Sequence, residues 1–133
     1  MISIRKAIPG DEKAPEQVTN TADQLGTDLF EDHICDAIVA IENNNIIGFA
    51  LYYISYSTWK GRCLYLEDFY VQEKHRKCGT GGMLFDKVVE IAKDQDVKRM
   101  DWQVLEWNEL ALGFYKKRNA ILDSEWINGR LFF

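Results

Sequence analysis

The sequence predicts an α+β fold, in which one mixed and mostly antiparallel sheet is flanked by helices. Three apolar strand patterns follow one another from residue 36 to residue 71, with turn residues between them, and strands joined by short turns pair antiparallel. A glycine-rich turn, a helical pattern and a further strand pattern come next, and a crossover of this kind pairs its two strands in parallel. The hairpins and the crossover therefore predict one sheet in a single domain over residues 1–133.

Composition narrows the class of protein. The chain has 133 residues, 47% of them hydrophobic, which is enough to bury a core. Its net charge of -5 disfavours a general nucleic-acid binder and allows a cationic partner. No apolar run reaches the roughly 18 residues of a membrane span and the first residues do not resemble a signal peptide, so we expect no membrane contact and a cytoplasmic location. Three cysteines and two histidines, spaced far apart, predict neither a disulfide framework nor a metal site.

The N-terminal third combines a short strand with short helices. The strand Ile2–Ile4 alternates and stops at Pro9-Gly10, where turn residues follow. Two helix starts come next, at residues 14–18 and 21–25, with Pro15 suited to a first turn and Thr21 to a cap.

The middle of the chain predicts an antiparallel meander of three strands. They are Asp36–Glu42, Ile46–Ser55 and Cys63–Val71, separated by turns at Asn43–Asn45 and Trp59–Arg62.

The remaining elements complete the sheet. A helix over Met83–Lys93 places Leu84, Val88, Ile91 and Ala92 on one face. After it we predict a strand, a helix and a terminal hairpin turned at Asn128-Gly129, which are Arg99–Val104, Glu109–Lys117, Ala120–Trp126 and Arg130–Phe133.

The stretch Arg76-Lys77-Cys78-Gly79-Thr80-Gly81-Gly82 lies between a strand and a helix. Glycines allow a close approach of the backbone, and the first N–H groups of a helix favour phosphate. The stretch lacks the Gly-Lys-Ser/Thr end of a nucleotide P-loop and the third glycine of a dinucleotide fingerprint. On its own it is either a phosphate site or a tight connection.

Three further candidates have an ordinary structural alternative. Glu67 and Asp68 are adjacent in a strand, so their side chains should point to opposite faces unless a bulge redirects one, and such a pair is often only solvated surface. Tyr115 lies three residues after Leu112, which favours a core aromatic. Asn108 stands before a helix, where asparagine is a good cap.

Taken together, these residues resemble the GCN5-related N-acetyltransferases, whose pyrophosphate loop reads Arg/Gln-x-x-Gly-x-Gly/Ala. The segments similar to the diamine (spermidine/spermine) acetyltransferase branch lie between Asp36 and Phe133. They are Ile46–Tyr53, Leu66–Val71, Glu106–Glu109, Phe114–Ala120 and Gly129–Phe132.

The resemblance implies direct transfer of an acetyl group from acetyl-CoA to a primary amine of a small polyamine-like or lysine-like acceptor. It implies that Glu67 and Asp68 bind the cationic amine, that Glu67 receives its proton through water, and that Tyr115 is the general acid. The implied cofactor contacts are the backbone of Phe69, Tyr70 and Val71, the loop residues Arg76, Lys77, Cys78, Gly79, Thr80, Gly81 and Gly82, and Asn108 with Tyr115.

One departure from the family pattern concerns the first helix after the first strand. Gly10–Lys13 leads directly into residues that resemble the segment after that helix, so we expect the helix to be absent between residues 10 and 14. Homodimerisation is implied by the branch. A related transferase acting on an amino acid or a protein N-terminus, and a non-catalytic acyl-CoA-binding module, stay open as alternatives.

Overall fold

The computed structural model describes residues 2–11, 21–76 and 78–133. The helix start predicted at residues 14–18 lies outside these ranges, as does Lys77. The chain forms two compact units, residues 1–102 and residues 103–133. The first unit contains the sheet, and the second contains one helix and the C-terminal segment.

The sheet has five strands arranged in sequence order. The first four pair antiparallel, whereas the fifth pairs parallel with the fourth. This confirms the predicted α+β class with a mixed, mostly antiparallel sheet. The strands are β1 (Ser3–Lys6), β2 (Asp36–Glu42), β3 (Asn45–Ser57), β4 (Gly61–Val71) and β5 (Met100–Trp102).

The turns between the strands explain where the hairpin strands begin. Asn43 and Asn44 have φ values of 51° and 65°, a left-handed conformation that asparagine tolerates better than most residues. Asn45 therefore already belongs to β3. In the second turn Gly61, at φ 87°, is the first residue of β4, two residues earlier than its apolar pattern predicts.

Two α-helices lie within the described residues of the first unit. α1 (Ala22–Gly26) starts where predicted, since the Thr21 hydroxyl accepts a 3.0 Å hydrogen bond from the Gln24 N–H, and it continues as a π-helical turn over Thr27–Glu31. α2 (Thr80–Asp94) begins three residues earlier than its apolar periodicity indicates. In the sequence, only Gly79 marks the first turn of α2. This residue caps the helix, and its carbonyl oxygen accepts a 3.0 Å hydrogen bond from the Met83 N–H.

The core lies between α2 and one face of the sheet. Leu84, Val88 and Ala92 of α2 are buried as predicted, and Leu64 and Leu66 of β4 are buried on the sheet. Ile91 is only partly buried. Packing of this amphipathic face fixes the start of α2 at the end of β4.

The second unit contains α3 (Glu109–Lys116), whose predicted position is confirmed. The predicted strands Ala120–Trp126 and Arg130–Phe133 are wrong, because residues 120–133 form no regular structure. The Asp123 carboxylate accepts a 2.9 Å hydrogen bond from the Glu125 N–H, and such a turn interrupts an extended run. Alternation and an Asn-Gly turn predict a hairpin only where a partner sheet covers its apolar side, yet Trp126 is 84% exposed.

Gly48 on β3 is a position where the fold requires a small residue. A Cβ there would lie 2.8 Å from the Tyr70 carbonyl oxygen and 3.1 Å from Leu84 Cδ1. We expect Gly48→Ala to lower the free energy of unfolding in urea by about 1–3 kcal/mol, because the backbone of β4 must shift. The matched control is Gly113→Ala on α3, where a Cβ meets nothing within 4 Å; it should be neutral or stabilise by up to about 1 kcal/mol. Equal stability of the two variants would contradict the close approach.

Candidate functional site

A β-bulge lies in the middle of β4, at the first pair of candidate residues. Leu51 pairs with Asp68, but the next residue, Tyr52, pairs with Leu66. Glu67 is therefore the extra residue of β4, opposite no residue of its own on β3. A bulge redirects the side chains that follow it, so the sequence-based alternation no longer holds here.

The bulge places Glu67 and Asp68 on the same face of the sheet, contrary to the predicted opposite orientation. Asp68 shares the face of its partner Leu51, which is also the face of Tyr53 two residues later on β3. Glu67 also acts on this face, since the pKa of both Tyr53 and Tyr65 is raised first by burial and then by the charge of Glu67. Two exposed carboxylates thus lie together on the face opposite α2.

Tyr53 and Tyr65 are part of this site, although no sequence motif singled them out. They are directly paired across β3 and β4, with ring centroids 5.4 Å apart and an interplanar angle of 37°. Asp101 of β5 pairs with Tyr65 on the other side, so an aromatic pair lies among carboxylates. The sequence signal that could have found Tyr65 is its spacing of two residues from Glu67, which places both side chains on one face of a strand. An aromatic face beside carboxylates attracts cations.

The two carboxylates do not have the same surroundings. Partial burial raises the pKa of the Asp68 carboxyl, while a hydrogen bond from the Phe69 backbone N–H opposes this increase. Asp68 therefore holds its charge in a partly desolvated position, where an added cation is more strongly attracted than in water.

The chain after β4 leads into a loop with the geometry of an anion site. Gly79 caps α2 with φ 87° and offers no side chain to the first helical N–H groups. Cys78 and Gly79 are exposed, and Gly81 and Gly82 are partly exposed. Helix N–H groups and the positive end of the dipole at this point favour a phosphate.

Thr80 differs from its neighbours in the loop. It is 0% exposed, and its hydroxyl lies 3.6 Å from the thiol of Cys78, which is 2.7 Å from the His75 carbonyl oxygen. Because Thr80 has no accessible surface, it packs inside the protein and supports the loop rather than facing a ligand. A phosphate contact by Thr80 stays a prediction that requires some movement of the loop.

Four contacts hold the loop against the strand ends. Arg76 Nε donates a 2.8 Å hydrogen bond to the Val71 carbonyl oxygen, and its guanidinium lies 5.5 Å from the centre of the Tyr70 ring. The Gln72 N–H donates to the Ile47 carbonyl oxygen at 2.8 Å. His75 Nδ1 lies 3.2 Å from a carboxylate oxygen of Glu42. Arg76 and its neighbours thus fix the position of the loop, in addition to any role of their charge.

The end of β4 connects the carboxylates to the loop. Pairing between β4 and β5 ends at Leu66 and Trp102, whereas β4 continues to Val71. Phe69 packs against Phe85 of α2 with ring centroids 6.0 Å apart. Phe69, Tyr70 and Val71 thus lie between the bulge and the start of α2, at an end of the sheet where β5 has stopped.

The other two candidates belong to the second unit. The Asn108 side chain accepts a 3.1 Å hydrogen bond from the Ala111 N–H, so it caps α3 as its ordinary structural role predicts. Tyr115 is buried, and this burial raises the pKa of its phenol. The Tyr115 ring meets Phe114 edge to face, at 5.3 Å and 81°. A phenol of this kind stays protonated at neutral pH and can donate a proton.

Two kinds of feature are absent from the described ranges. Within residues 2–11, 21–76 and 78–133, no helix has the length and apolar character needed to cross a membrane. The same ranges contain no group of three or more His, Cys, Asp or Glu side chains that could hold a metal ion.

Comparison with known proteins gives one family and several relatives. A model of the "Acetyltransferase (GNAT) family" matches residues 3–120. A thialysine N-epsilon-acetyltransferase of Bos taurus is 45% identical over 142 aligned positions, which cover 90% of this chain and 84% of the relative. A spermidine/spermine N(1)-acetyltransferase-like protein 1 of Homo sapiens is 38% identical over 134 positions, 94% of this chain and 19% of that protein.

Among solved structures, AAC(6')-Iy in complex with the bisubstrate analogue CoA-S-monomethyl-acetylneamine has a similar fold. Its TM-score is 0.84 at 15% sequence identity, over 100% of this chain and 99% of that chain. At this level of identity, the likeness concerns the fold.

The partly desolvated carboxyl of Asp68 leads to a prediction about pH. Its folded-state pKa lies above the unfolded value near 3.8, so its stabilising contribution is complete below that value and is lost as the pH rises through the folded pKa. Asp68→Asn removes the charge, and we expect its stability relative to the wild type to increase between pH 3.5 and pH 7.5. Urea unfolding at both pH values measures this.

The matched control is Asp96→Asn, which removes an exposed carboxylate and should change stability little. An Asp68→Asn protein whose stability difference from the wild type is the same at both pH values would contradict the desolvation of this carboxyl.

Proposed function

The chain belongs to the acetyltransferase (GNAT) family, and we propose that it transfers an acetyl group from acetyl-CoA directly to a primary amine of a small cationic acceptor, lysine-like or polyamine-like. The observation that carries the acceptor class is the bulge that places Glu67 and Asp68 on one face. The names of the relatives support it, since one acts on thialysine and another is named for its likeness to spermidine/spermine acetyltransferase.

The face beside the bulge suits an acceptor with two positive charges. Glu67 and Asp68 take the amine that reacts, and the Tyr53–Tyr65 pair takes a second ammonium group over its rings. Tyr65 and Glu67 are two residues apart on one strand, which is about 7 Å. That is the span of a short alkyl diamine, so both charges of such an acceptor are matched at once.

The reacting amine must lose a proton before it can attack. Its pKa of about 10 keeps it protonated at neutral pH, and a protonated amine has no lone pair to give. Glu67 accepts this proton through a water molecule, and Asp68 holds the cation in place. The partly desolvated position of Asp68 strengthens this hold.

In the transfer step the amine lone pair attacks the carbonyl carbon of the thioester and the C–N bond forms. The tetrahedral intermediate then loses the second proton of its nitrogen to solvent and collapses, the C–S bond breaks, and the Tyr115 phenol gives its proton to the leaving thiolate and regains one from solvent. Because burial raises the pKa of Tyr115 above its ordinary value, the phenol carries that proton at neutral pH. Both substrates are bound together, and no acetyl-enzyme forms.

Acetyl-CoA is held along the path from β4 to α2. Its pyrophosphate lies at the start of α2, against Arg76, Lys77, Cys78, Gly79, Thr80, Gly81 and Gly82, where helix N–H groups and basic side chains favour it. The backbone of Phe69, Tyr70 and Val71 binds the pantetheine amides as a strand edge binds a peptide. Asn108 and Tyr115 are the proposed cofactor contacts of the second unit.

The first family helix is absent between residues 10 and 14 in this proposal. The alignment with the cattle relative runs over 142 positions, more than the 133 residues of this chain, so that relative has residues without a counterpart here. The turn after β1 is held together by Asp11. Its carboxylate lies 2.6 Å from Arg5 Nη1 and accepts a 2.9 Å hydrogen bond from the Ile8 N–H. Peptide mass mapping of the native protein across residues 7–22 tests this, since additional residues between positions 10 and 14 would contradict it.

A homodimer and a cytoplasmic location complete the proposal. The C-terminal segment exposes large apolar side chains, among them Ile121, Trp126 and Phe132, which a second copy of the chain would cover. A monomer mass by light scattering would contradict the dimer.

The three cysteines are free, as expected in a reducing compartment.

An assay of thiol release from acetyl-CoA tests the reaction. Spermidine, putrescine, lysine and thialysine should be acetylated, and monoamines of the same length should have a kcat/KM lower by about tenfold or more, because they lack the second charge. Peptide acceptors serve to detect the related activity on a protein N-terminus. Thermal stabilisation by CoA without turnover on any amine would instead indicate a binding module, and no response to CoA would remove both functions.

Tyr115→Phe separates the general acid from a core aromatic. We expect kcat to fall by about 10²-fold or more, the usual contribution of a positioned acid, while the Kd for CoA stays within about twofold. In the wild type the rate should show no alkaline decrease below pH 10, since the raised pKa of Tyr115 keeps the phenol protonated. The control is Tyr56→Phe, which removes a hydroxyl from a residue that is 76% exposed. Unchanged kcat in Tyr115→Phe would exclude it as the acid.

A further inference from the structure

A cavity lies on the face of the sheet that packs against α2, opposite the face of Glu67 and Asp68. Its volume is about 300 Å³, and its walls include Ile4 of β1, Ile38 of β2 and Ile91 of α2. These side chains make the walls apolar. None of the residues that line it belongs to the carboxylate pair or to the loop before α2.

Tyr52 of β3 gives this cavity a polar floor. The residue is 3% exposed and lines the cavity, yet no hydrogen bond of the described residues involves its hydroxyl. Fully enclosed side-chain oxygens in those same ranges all have a partner, so this hydroxyl is not enclosed by protein but opens into the cavity. An accessible phenol hydroxyl at the floor of an apolar cavity is free to hydrogen-bond an acceptor that enters it.

The hydroxyl of Tyr52 is a donor across the whole physiological range. Burial, helped by the charge of Asp36, raises the pKa of Tyr52 to about 12. The phenol therefore stays protonated and can donate to an acceptor that has no proton of its own.

Basic side chains complete the lining. Arg5 and Lys6 of β1 and Lys87 of α2 all line the cavity. Each is also within 4.0 Å of a carboxylate that does not line it, and these partners are Asp11 at 2.6 Å, Asp36 at 3.9 Å and Glu90 at 3.4 Å. Lys6 has the longest contact and is 74% exposed, so its charge is the one most available to a ligand. Because Arg5 and Lys87 lie closer to their carboxylates, the exposed ammonium group of Lys6 is the charge that favours an anionic ligand.

We propose that this cavity binds a small carboxylate with an apolar body. The carboxylate accepts a hydrogen bond from the Tyr52 hydroxyl and lies near Lys6 and Lys87, while the apolar part packs on Ile4, Ile38 and Ile91. Apolar walls with a few convergent polar groups are the usual construction of a small-molecule site. This inference does not depend on acetyl transfer, because it uses none of the residues of that site.

The test uses octanoate as the probe, with octanamide as its uncharged match, on the full chain saturated with CoA. Amide and methyl NMR resonances of the residues that line the cavity should shift on addition of octanoate, and octanamide should bind at least about tenfold more weakly. Shifts confined to the loop before α2, or equal binding of the two probes, would overturn the proposal.

Tyr52→Phe removes only the hydroxyl. It should lower the affinity for octanoate about tenfold, the effect of one hydrogen bond to a charged group. The Tm without ligand should stay the same or rise, because no partner within the protein is lost; a hydroxyl with a purely structural role would lower it. Unchanged affinity would overturn the role of Tyr52.

Two further variants keep this test independent of folding. Lys6→Gln changes an exposed side chain and should weaken octanoate severalfold through loss of charge alone. Lys93→Gln removes an exposed charge on α2 away from the cavity and should leave the affinity unchanged. Equal affinities of these two variants for octanoate would overturn the electrostatic part of the proposal.

Discussion

The β-bulge at Glu67 is the constraint on which the candidate active site depends. Up to this point β4 places Leu64 and Leu66 toward α2, and strict alternation would send Asp68 the same way. A lone carboxylate among the side chains of α2 would be very unfavourable. The extra residue reverses the alternation, so Phe69 packs on Phe85 and Asp68 faces the other side of the sheet. One irregularity therefore keeps the core apolar and gathers two carboxylates on one face.

The bulge also sets the distance between the two halves of the reaction. Beyond it β4 runs only to Val71 before the loop begins, and Arg76 bonds back to Val71 while Gln72 bonds to Ile47. The close approach of Gly48 to the Tyr70 carbonyl oxygen holds β3 against this same segment. The carboxylates and the start of α2 are thus fixed on one short, well-supported piece of backbone, which is what a site for two substrates needs.

The sequence was sufficient where a repeating pattern is tied to burial. β2, β3, β4 and α2 were predicted because their apolar residues have periods of 2 or 3.6 against a single core. The sequence also contains a signal for the bulge. Its apolar positions 64, 66, 69 and 71 are two residues apart except for one step of three residues, from 66 to 69. Alternation alone nevertheless favoured opposite faces for the two carboxylates, with a bulge as the exception. The prediction of the C-terminal hairpin was wrong for the opposite reason, because residues 120–133 have the right local pattern but pair with no strand of the described residues.

Sequence reasoning could not find Tyr53 and Tyr52, because the role of each depends on residues that only the tertiary structure brings close. Tyr53 becomes significant only through its register with Tyr65, and Tyr52 only through a cavity formed by separate elements. These neighbours on β3 point to opposite faces, as adjacent strand residues must. One strand therefore supplies an aromatic surface beside the carboxylates on one side and a phenol donor to the cavity on the other. Since the Asp68 carboxylate is partly desolvated without a ligand, a cation that satisfies it stabilises the folded chain.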